Sequence, residues 1–259
     1  MKVKTMVLRA AGTNCDAETV YAFESAGAQV SRVHINELVR KEQSLSEFQI
    51  LAIPGGFTYG DDVGAGKILA NELKHKLSED IARFVEQGKL IIGICNGFQV
   101  LVKAGILPGW HEDATEQRCT LTLNDSGKFE DRWIYLEKEK NTRCVFVEGI
   151  EETLYFPVAH AEGKFIPADE DVLAKLERNG QVVFRYVDEH GARASYPWNP
   201  NGSVGDIAGI CDSTGRVFGL MPHPERHVLP TQHPRWTREG LREQGAGRVI
   251  FENAVRLMK

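Results

Sequence analysis

A three-layer α/β fold is predicted, with a mostly parallel sheet, helices on both faces and an antiparallel segment at one edge. Through the first hundred residues, strand-like runs alternate with helix-like segments, and several of these runs are almost wholly apolar. Such runs are typical of strands in a parallel sheet that helices cover on both faces. From about Arg118 the pattern changes to shorter strand-like runs with polar turns between them, which indicates the antiparallel edge.

The first hundred residues account for the parallel part of the sheet. Strands are predicted over residues 3–8, 29–33, 49–53 and 90–94, of which the last two are the most apolar. Turn and N-cap chemistry at residues 12–16 begins a helix that ends at Gly27. Apolar residues recur at helical spacing from about residue 66 to 86, which predicts one long helix. A shorter helix is predicted after the fourth strand and ends at Gly105.

The rest of the chain supplies the antiparallel edge and two helices. Strand-like runs occupy residues 119–123, 132–136 and 144–147, and a helix over about 169–178 precedes a strand over 181–186. Residues 206–211 and 216–220 are predicted to form a hairpin, and an amphipathic helix covers residues 247–258. Because no internal repeat or flexible linker interrupts this pattern, residues 1–259 are predicted to form a single domain.

The composition argues against several classes of protein. With 42% hydrophobic and 26% charged residues, the chain is typical of an ordinary soluble globular protein. A formal net charge of -5 argues against nucleic-acid binding. The sequence shows neither a signal-peptide pattern nor an apolar stretch of 18 residues, which argues against a membrane protein. Five widely spaced cysteines without a C-x-x-C pair favour a reducing, cytoplasmic setting and argue against a structural zinc site.

A candidate nucleophile lies where the fourth strand meets its helix. Cys95 stands between Gly93 and Gly97 in the segment G-I-C-N-G-F-Q, which has the G-x-nucleophile-x-G spacing of a nucleophile elbow. The glycines let the strand and the helix close up around the turn, and the helix N-terminus favours a thiolate. The alternative is a buried, unreactive cysteine at a strand-to-helix turn.

His223 and Glu225 are the candidate base and the group that orients it. Prolines on both sides of His223 favour extended backbone, in which side chains two residues apart project to the same side. A carboxylate beside the imidazole would fix its tautomer and support its positive charge. His160, with Glu162 two residues later, is a rival base, and a surface turn with a solvated glutamate is the alternative.

Backbone amides near Cys95 are candidate donors to a developing oxyanion. Gly55 and Gly56 follow the third strand and should therefore lie at the same sheet edge as Cys95, because parallel strands share that edge. The N–H groups of Gly56 and Asn96 are predicted to stabilise the negative charge that forms on a carbonyl oxygen during acyl transfer.

Other patterns argue against a metal or nucleotide site. Residues 60–68 lack the glycine spacing and the hydroxyl of a phosphate-binding loop, so no ATP site is expected here. His223 and His227 are four residues apart, but Pro224 opposes the helix that a zinc motif needs, so no metal is expected. The basic stretch at residues 235–248 is typical of a solvated surface, with partner docking as the alternative.

The segments around Cys95 and His223 resemble the triad type of class I glutamine amidotransferases. Within that class, four segments are similar to those of the glutaminase subunits of phosphoribosylformylglycinamidine synthases. These are G-T-N-C-D at 12–16, P-G-G-F-T-Y-G-D at 54–61, P-V-A-H-A-E-G at 157–163 and M-P-H-P-E-R at 221–226. The resemblance extends over nearly the whole chain and implies the α/β fold of that class.

The resemblance also implies roles for residues. Cys95 would attack the side-chain amide of glutamine, release ammonia and form a glutamyl thioester that water hydrolyses. His223 would act first as base and then as acid, and Glu225 would orient it. The residues implied for the oxyanion are Gly56 and Asn96, and those implied for binding glutamine are Gly55, Gln99 and the backbone around His160.

Partners follow from the same resemblance. A separate synthetase subunit, usually with a small third subunit, would use the ammonia to make phosphoribosylformylglycinamidine in purine biosynthesis, and that partner would hold ATP and magnesium. The alternative is a related cysteine hydrolase or amidotransferase that serves another synthetase or amide.

The chain differs from the family pattern at two places. Ala161 stands where the family loop has glycine, so a positive φ there would be strained. Residues 229–247 form a longer segment than in compact members of the family.

Overall fold

The computed structural model describes residues 2–110 and 117–259. In these residues the strands are β1 (Lys4–Arg9), β2 (Gln29–His34), β3 (Ile50–Ile53), β4 (Leu90–Ile94), β5 (Cys119–Thr122), β6 (Glu130–Lys138), β7 (Leu154–His160), β8 (Lys164–Pro167), β9 (Val182–Val187), β10 (Ile207–Cys211) and β11 (Val217–Leu220). The helices are α1 (Asp16–Ser25), α2 (Ile35–Val39), α3 (Lys67–Lys76), α4 (Ser78–Glu86), α5 (Asn96–Lys103), α6 (Glu170–Arg178), α7 (Trp236–Glu239) and α8 (Arg248–Leu257).

Nine of these strands form one central sheet, in the spatial order β2-β1-β3-β4-β11-β10-β9-β6-β7. From β2 to β11 every neighbouring pair is parallel, and from β11 to β7 every pair is antiparallel. All residues of β3, β4 and β11 are buried, which requires cover on both faces of the sheet. The predicted mostly parallel α/β sheet with an antiparallel edge is therefore confirmed.

Two helical layers provide that cover. Helices α1 and α8 pack together. The ring centroids of Phe23 and Phe251 are 5.0 Å apart, and the two rings meet edge to face. A second group comprises α3, α4 and α5, and α5 lies against β4 and β3. Within the described residues, no helix is both long and apolar enough to cross a lipid bilayer.

Three predicted elements differ from the structure. The single helix expected over residues 66–86 is two helices, because Leu77 has non-helical backbone (φ -130°, ψ 11°) between α3 and α4. Residues 144–147 form no strand. These residues form the 3₁₀ turn Val145–Val147 instead, in which Phe146 and Val147 are buried, and the side chain of Asn253 on α8 donates to the carbonyl of Phe146. The run at residues 119–123 does not join the sheet edge, since among the described residues β5 pairs only with β8.

Candidate active site

Four loops meet at the carboxyl edge of the parallel strands. They follow β1, β3, β4 and β11, which are neighbours in the sheet, and so the chain brings residues 12–16, 54–57, 95–97 and 221–225 to one place. This is the sheet edge at which ligands bind in open α/β folds. The strand order therefore gathers segments that lie far apart in the sequence.

Cys95 occupies a strained turn between β4 and α5. Its backbone has φ 51° and ψ -105°, a conformation that a residue with a side chain rarely adopts. The turn is held because the Cys95 amide donates to the carbonyl of Leu220 (2.8 Å) and because α5 lies directly on β3. At Gly97 a Cβ atom would be 1.9 Å from the carbonyl oxygen of Ile53, so only glycine permits this approach. The Cys95 side chain is buried, and its thiol donates to the carbonyl of Ala159 (3.7 Å).

His223 and Glu225 form a buried pair. Nδ1 of His223 lies 2.6 Å from Oε1 of Glu225, and both side chains are shielded from solvent. Burial acts to lower the pKa of His223, but the Glu225 carboxylate, with the Cys95 and Cys15 sulfurs, raises it well above its usual value. The imidazole is thus suited to carry a proton at neutral pH.

Cys95, His223 and a second cysteine, Cys15, converge on Gly55. A Cβ atom at Gly55 would lie 2.8 Å from Cε1 of His223, 3.2 Å from Sγ of Cys15 and 3.4 Å from Cβ of Cys95. Any side chain at this position would push the imidazole away. The structure therefore brings the predicted nucleophile and base together beside Gly55, and the predicted orienting carboxylate, Glu225, contacts the base.

The Gly55–Gly56 peptide is oriented from the loop after β1. The carbonyl of Gly55 accepts from the amides of Asn14 (3.4 Å) and Cys15 (3.2 Å). Since this peptide is trans, its N–H, contributed by Gly56, points the opposite way from that carbonyl. The amide of Asn96, the first residue of α5, has no acceptor within its own helix. The Gly56 donor is thus oriented by backbone contacts, and the Asn96 amide is not engaged within α5.

The side chains of Asn96 and Gln99 make internal contacts. Asn96 Oδ1 accepts from the hydroxyl of Thr58 (2.7 Å), and its Nδ2 donates to Oε1 of Gln99 (2.9 Å). Gln99 Nε2 donates to the carbonyl of Glu162 (2.6 Å). Gln99 therefore connects α5 to the loop after β7, and its two polar atoms are already engaged within the protein.

His160 is buried in a separate polar network. Its Nδ1 is 3.1 Å from Oδ1 of Asn124, and its Nε2 is 3.5 Å from Nδ2 of Asn201. Burial, together with the charge on His223, lowers the pKa of His160 to about 3. The imidazole is therefore neutral. Glu162, the carboxylate that could have served it, instead contacts Lys103 at 3.4 Å. These contacts favour His223 over His160 as the base.

Two residues beside the site were not singled out from the sequence. Nη2 of Arg226 donates to Sγ of Cys15 (3.1 Å), and the Cys15 thiol contacts Oδ1 of Asn14 (3.2 Å). Both residues lie in segments that carry the family resemblance, but residue type alone gave Cys15 and Arg226 no role. Arg226 is close to His223 in the sequence, but only the strand order brings Cys15 beside both residues.

The two differences from the family pattern have simple structural outcomes. Ala161 is not among the described residues with positive φ, so the strain considered for it does not arise. The segment at residues 229–247 lies against β6 and β7, where Arg235 donates to the hydroxyl of Tyr135 (2.7 Å). Two of its arginines pair with carboxylates, Arg235 with Glu239 and Arg242 with Glu152.

The whole chain is similar to proteins of one family. Residues 2–258 match the family described as CobB/CobQ-like glutamine amidotransferase domain. A relative from Dehalococcoides mccartyi, named phosphoribosylformylglycinamidine synthase subunit PurQ, is 59% identical over 98% of this chain and 97% of its own length. A relative of the same name from Archaeoglobus fulgidus is 47% identical over 98% of this chain and 96% of its own length.

Solved structures give the same result. A chain in the solved "Structure of PurLQS from Thermotoga maritima" matches with a TM-score of 0.76 and 32% identity, covering 100% of both chains. A solved glutamine amidotransferase from Thermotoga maritima, at 17% identity and a TM-score of 0.54, covers 99% of this chain and 91% of its own, and it shares the fold alone.

Proposed function

The chain belongs to the family of CobB/CobQ-like glutamine amidotransferase domains, and we propose from this premise that it is the glutaminase subunit of a phosphoribosylformylglycinamidine synthase. The observation that carries the proposal is the placement of Cys95, on a strained elbow, beside the buried His223–Glu225 pair. A thiol, an imidazole and a carboxylate in this order constitute the machinery for amide hydrolysis through a thioester.

The reaction begins with proton transfer from Cys95 to His223. The resulting thiolate attacks the side-chain carbonyl carbon of glutamine, and the amides of Gly56 and Asn96 stabilise the oxyanion. The C–N bond then breaks, and His223 gives its proton to the departing ammonia. Water, deprotonated by His223, attacks the thioester, which releases glutamate and restores the thiol. Throughout these steps Glu225 holds the imidazole tautomer and balances its positive charge.

The loop after β7 supplies the other wall of the glutamine site. The Ala159 carbonyl already contacts the Cys95 thiol, and the network of His160, Asn124 and Gln99 holds this loop in place. We assign His160 and Gln99 to positioning this wall, with the backbone of residues 159–162 and Gly55 facing the substrate.

The relatives support our proposal for the partners of this chain. Those relatives are named as the PurQ subunit of the synthase. A chain in the solved PurLQS structure from Thermotoga maritima matches this chain along its whole length. We propose that ammonia from this chain passes to a synthetase subunit, that this partner binds ATP and magnesium, and that a small third subunit completes the complex. This chain needs no cofactor of its own for the chemistry above, and we place it in the cytoplasm.

The test combines activity with labelling. The purified chain, mixed with its synthetase and small subunits, is expected to convert glutamine to glutamate, and Cys95→Ala should abolish this. Intact mass spectrometry should show one adduct at Cys95 from a glutamine-analogue electrophile, suppressed by free glutamine. The proposal is wrong if Cys95→Ala keeps its rate or if the complex hydrolyses no glutamine.

The same experiment separates the second candidate, a related cysteine hydrolase that acts on another amide. That enzyme would label at Cys95, but free glutamine would give no protection. The similarity to proteins named as synthase subunits over the whole chain favours the glutaminase.

A further inference from the structure

The loop after β3 continues from Gly56 into a strained turn. Tyr59, Gly60 and Asp61 all have left-handed backbone, with φ of 55°, 71° and 55°. Residues with side chains rarely adopt this conformation, and it persists only where surrounding contacts hold it. Tyr59 is held by its hydroxyl, which donates to Glu72 on α3 (2.5 Å). Asp61 is held by different contacts, which lead into the active site.

The carboxyl group of Asp61 is partly buried beside the first residue of α5. Its Oδ1 accepts from Nδ2 of Asn96 (3.3 Å) and from the amide of Gly66 (3.4 Å). Burial raises the pKa of this carboxyl group, and Glu162 acts in the same direction, while Lys103 and the two hydrogen bonds offset this only in part. Asp61 therefore makes two hydrogen bonds in a place that disfavours its charge.

The side chain of Asn96 connects the two segments that carry the proposed oxyanion donors. Its Oδ1 accepts from the amide (3.3 Å) and the hydroxyl (2.7 Å) of Thr58, which lies two residues after Gly56. The backbone amide of Asn96 is itself the second donor. Because the Thr58 amide can only donate, it fixes Oδ1 on its own side and Nδ2 on the side of Asp61. The Asn96 side chain thus holds the two donors in one arrangement.

We propose that Asp61 is a positioning residue for the oxyanion site. It holds the Asn96 side chain against Thr58, and so keeps the amides of Asn96 and Gly56 directed at the same oxygen. This role rests on the proposed function, because it concerns the oxyanion of that reaction. Asp61 takes no part in the chemistry itself, and its effect should fall on the transition state rather than on the binding of glutamine.

Removal of the carboxyl group tests this role in the complete complex. Asp61→Gly removes it without adding strain, since glycine readily adopts positive φ. With the synthetase and the small subunit at saturation, kcat for glutamine hydrolysis should fall at least about fivefold, while KM stays unchanged. A smaller loss of kcat, or a rise in KM with kcat kept, would overturn the proposal.

Two further variants separate positioning from folding. Asp61→Asn keeps the acceptor oxygen and tolerates left-handed backbone, so its kcat should be close to that of the unchanged chain. Asp62→Ala removes the neighbouring carboxyl group, which is exposed on right-handed backbone, and should also keep kcat. If either variant loses as much kcat as Asp61→Gly, the loss does not come from the contact with Asn96, and the proposal fails.

An aldehyde analogue of glutamine probes the oxyanion site without turnover. The Cys95 thiol adds to its carbonyl group, which forms a C–S bond and places the thiol proton on the carbonyl oxygen, where the oxyanion would form. Asp61→Gly should raise the Kd of this aldehyde at least about fivefold in calorimetric titration. In an Asn96→Ala background the same change should have little further effect, because Asp61 acts through that side chain. An unchanged Kd in Asp61→Gly, or an equal loss in both backgrounds, would refute the role.

The unchanged complex decides the proposed function separately. If it hydrolyses no glutamine, the proposed function fails, and the positioning role fails with it. If it hydrolyses glutamine and the Asp61→Gly complex does so equally well, only the positioning role fails.

Discussion

At the scale of single residues, two buried histidines near the nucleophile have opposite properties. His223 faces a carboxylate at 2.6 Å, and its pKa is raised. Within the part of the chain that the structure describes, the imidazole nitrogens of His160 have only side-chain amides as partners, and its pKa is lowered to about 3. Because both side chains are buried, the difference comes from the neighbouring charge and not from exposure. The neighbour of each imidazole thus decides which histidine can move a proton at neutral pH.

Replacing Glu225 by glutamine should show this dependence directly. Without the carboxylate, the pKa of His223 falls, and the imidazolium that pairs with the Cys95 thiolate is lost at a lower pH. The rate of glutamine hydrolysis should drop by roughly 10²- to 10⁴-fold. The alkaline limb of kcat/KM against pH should move to lower pH. An unshifted limb in Glu225→Gln would show that this carboxylate does not support the charge on His223.

His160 makes a prediction about stability. The unfolded chain takes up a proton at His160 near pH 6.5, whereas the folded chain takes it up only near pH 3, so stability is lost as the pH falls between these values. Between pH 7 and pH 5 this amounts to about 2 kcal/mol. When the pH is lowered from 7 to 5, the unfolding free energy of His160→Gln should decrease less than that of the unchanged chain, by about that amount. Urea unfolding of both proteins at both pH values measures this difference. The same decrease in both proteins would mean that His160 is protonated when folded.

At the scale of secondary structure, apolar runs in the sequence predicted the parallel strands well. Runs such as Leu90–Ile94 are buried on both faces, so their composition alone identifies them. The run at residues 144–147 is equally apolar, but it is buried beneath α8 as a turn. An apolar composition indicates burial in both cases. Whether the segment forms a strand or a turn depends on the element against which it packs.

Prediction of the site followed the same rule. Spacing within one segment pointed to Cys95 and to the pair His223–Glu225, because both patterns are local. The contacts of Cys15 and Arg226 depend on β1 and β11 lying on either side of β3 and β4, an order that no local pattern contains. The contact between Cys15 and Arg226 was therefore missed.

The close approach of α5 to β3 can be tested at Gly97. Alanine in place of glycine normally stabilises a helix by about 1 kcal/mol, yet here its Cβ would meet the Ile53 carbonyl at 1.9 Å. Gly97→Ala should therefore destabilise the protein by about 1–3 kcal/mol or more in urea unfolding, and displace Cys95. Gly127→Ala, with positive φ but open space, should cost only about 1–2 kcal/mol and keep activity. Unchanged stability of Gly97→Ala would contradict the packing described.

At the scale of the whole molecule, the loops around the site expose large apolar side chains. Phe57, Val63, Leu123 and Phe129 are between 43% and 73% exposed, and the rings of Phe57 and Phe129 lie 6.2 Å apart. Phe57 directly follows Gly56, and Leu123 precedes Asn124, which binds His160. Large apolar side chains exposed beside a catalytic site are typical of a surface that a partner covers. Ammonia leaving Cys95 would then emerge beneath that partner.

A charge placed on this exposed apolar surface should weaken assembly with the synthetase without affecting the catalytic site. Phe129→Asp would have to bury a carboxylate against the synthetase, so we expect the Kd of the complex to rise at least about tenfold. Leu257→Asp, which is similarly exposed near the end of α8, is the matched control and should bind normally. Sedimentation velocity measures both, and labelling of Cys95 by the glutamine analogue in the free chain checks that the site is intact. Normal assembly of Phe129→Asp would place the synthetase on a different face, and ammonia would then have to cross the protein to reach it.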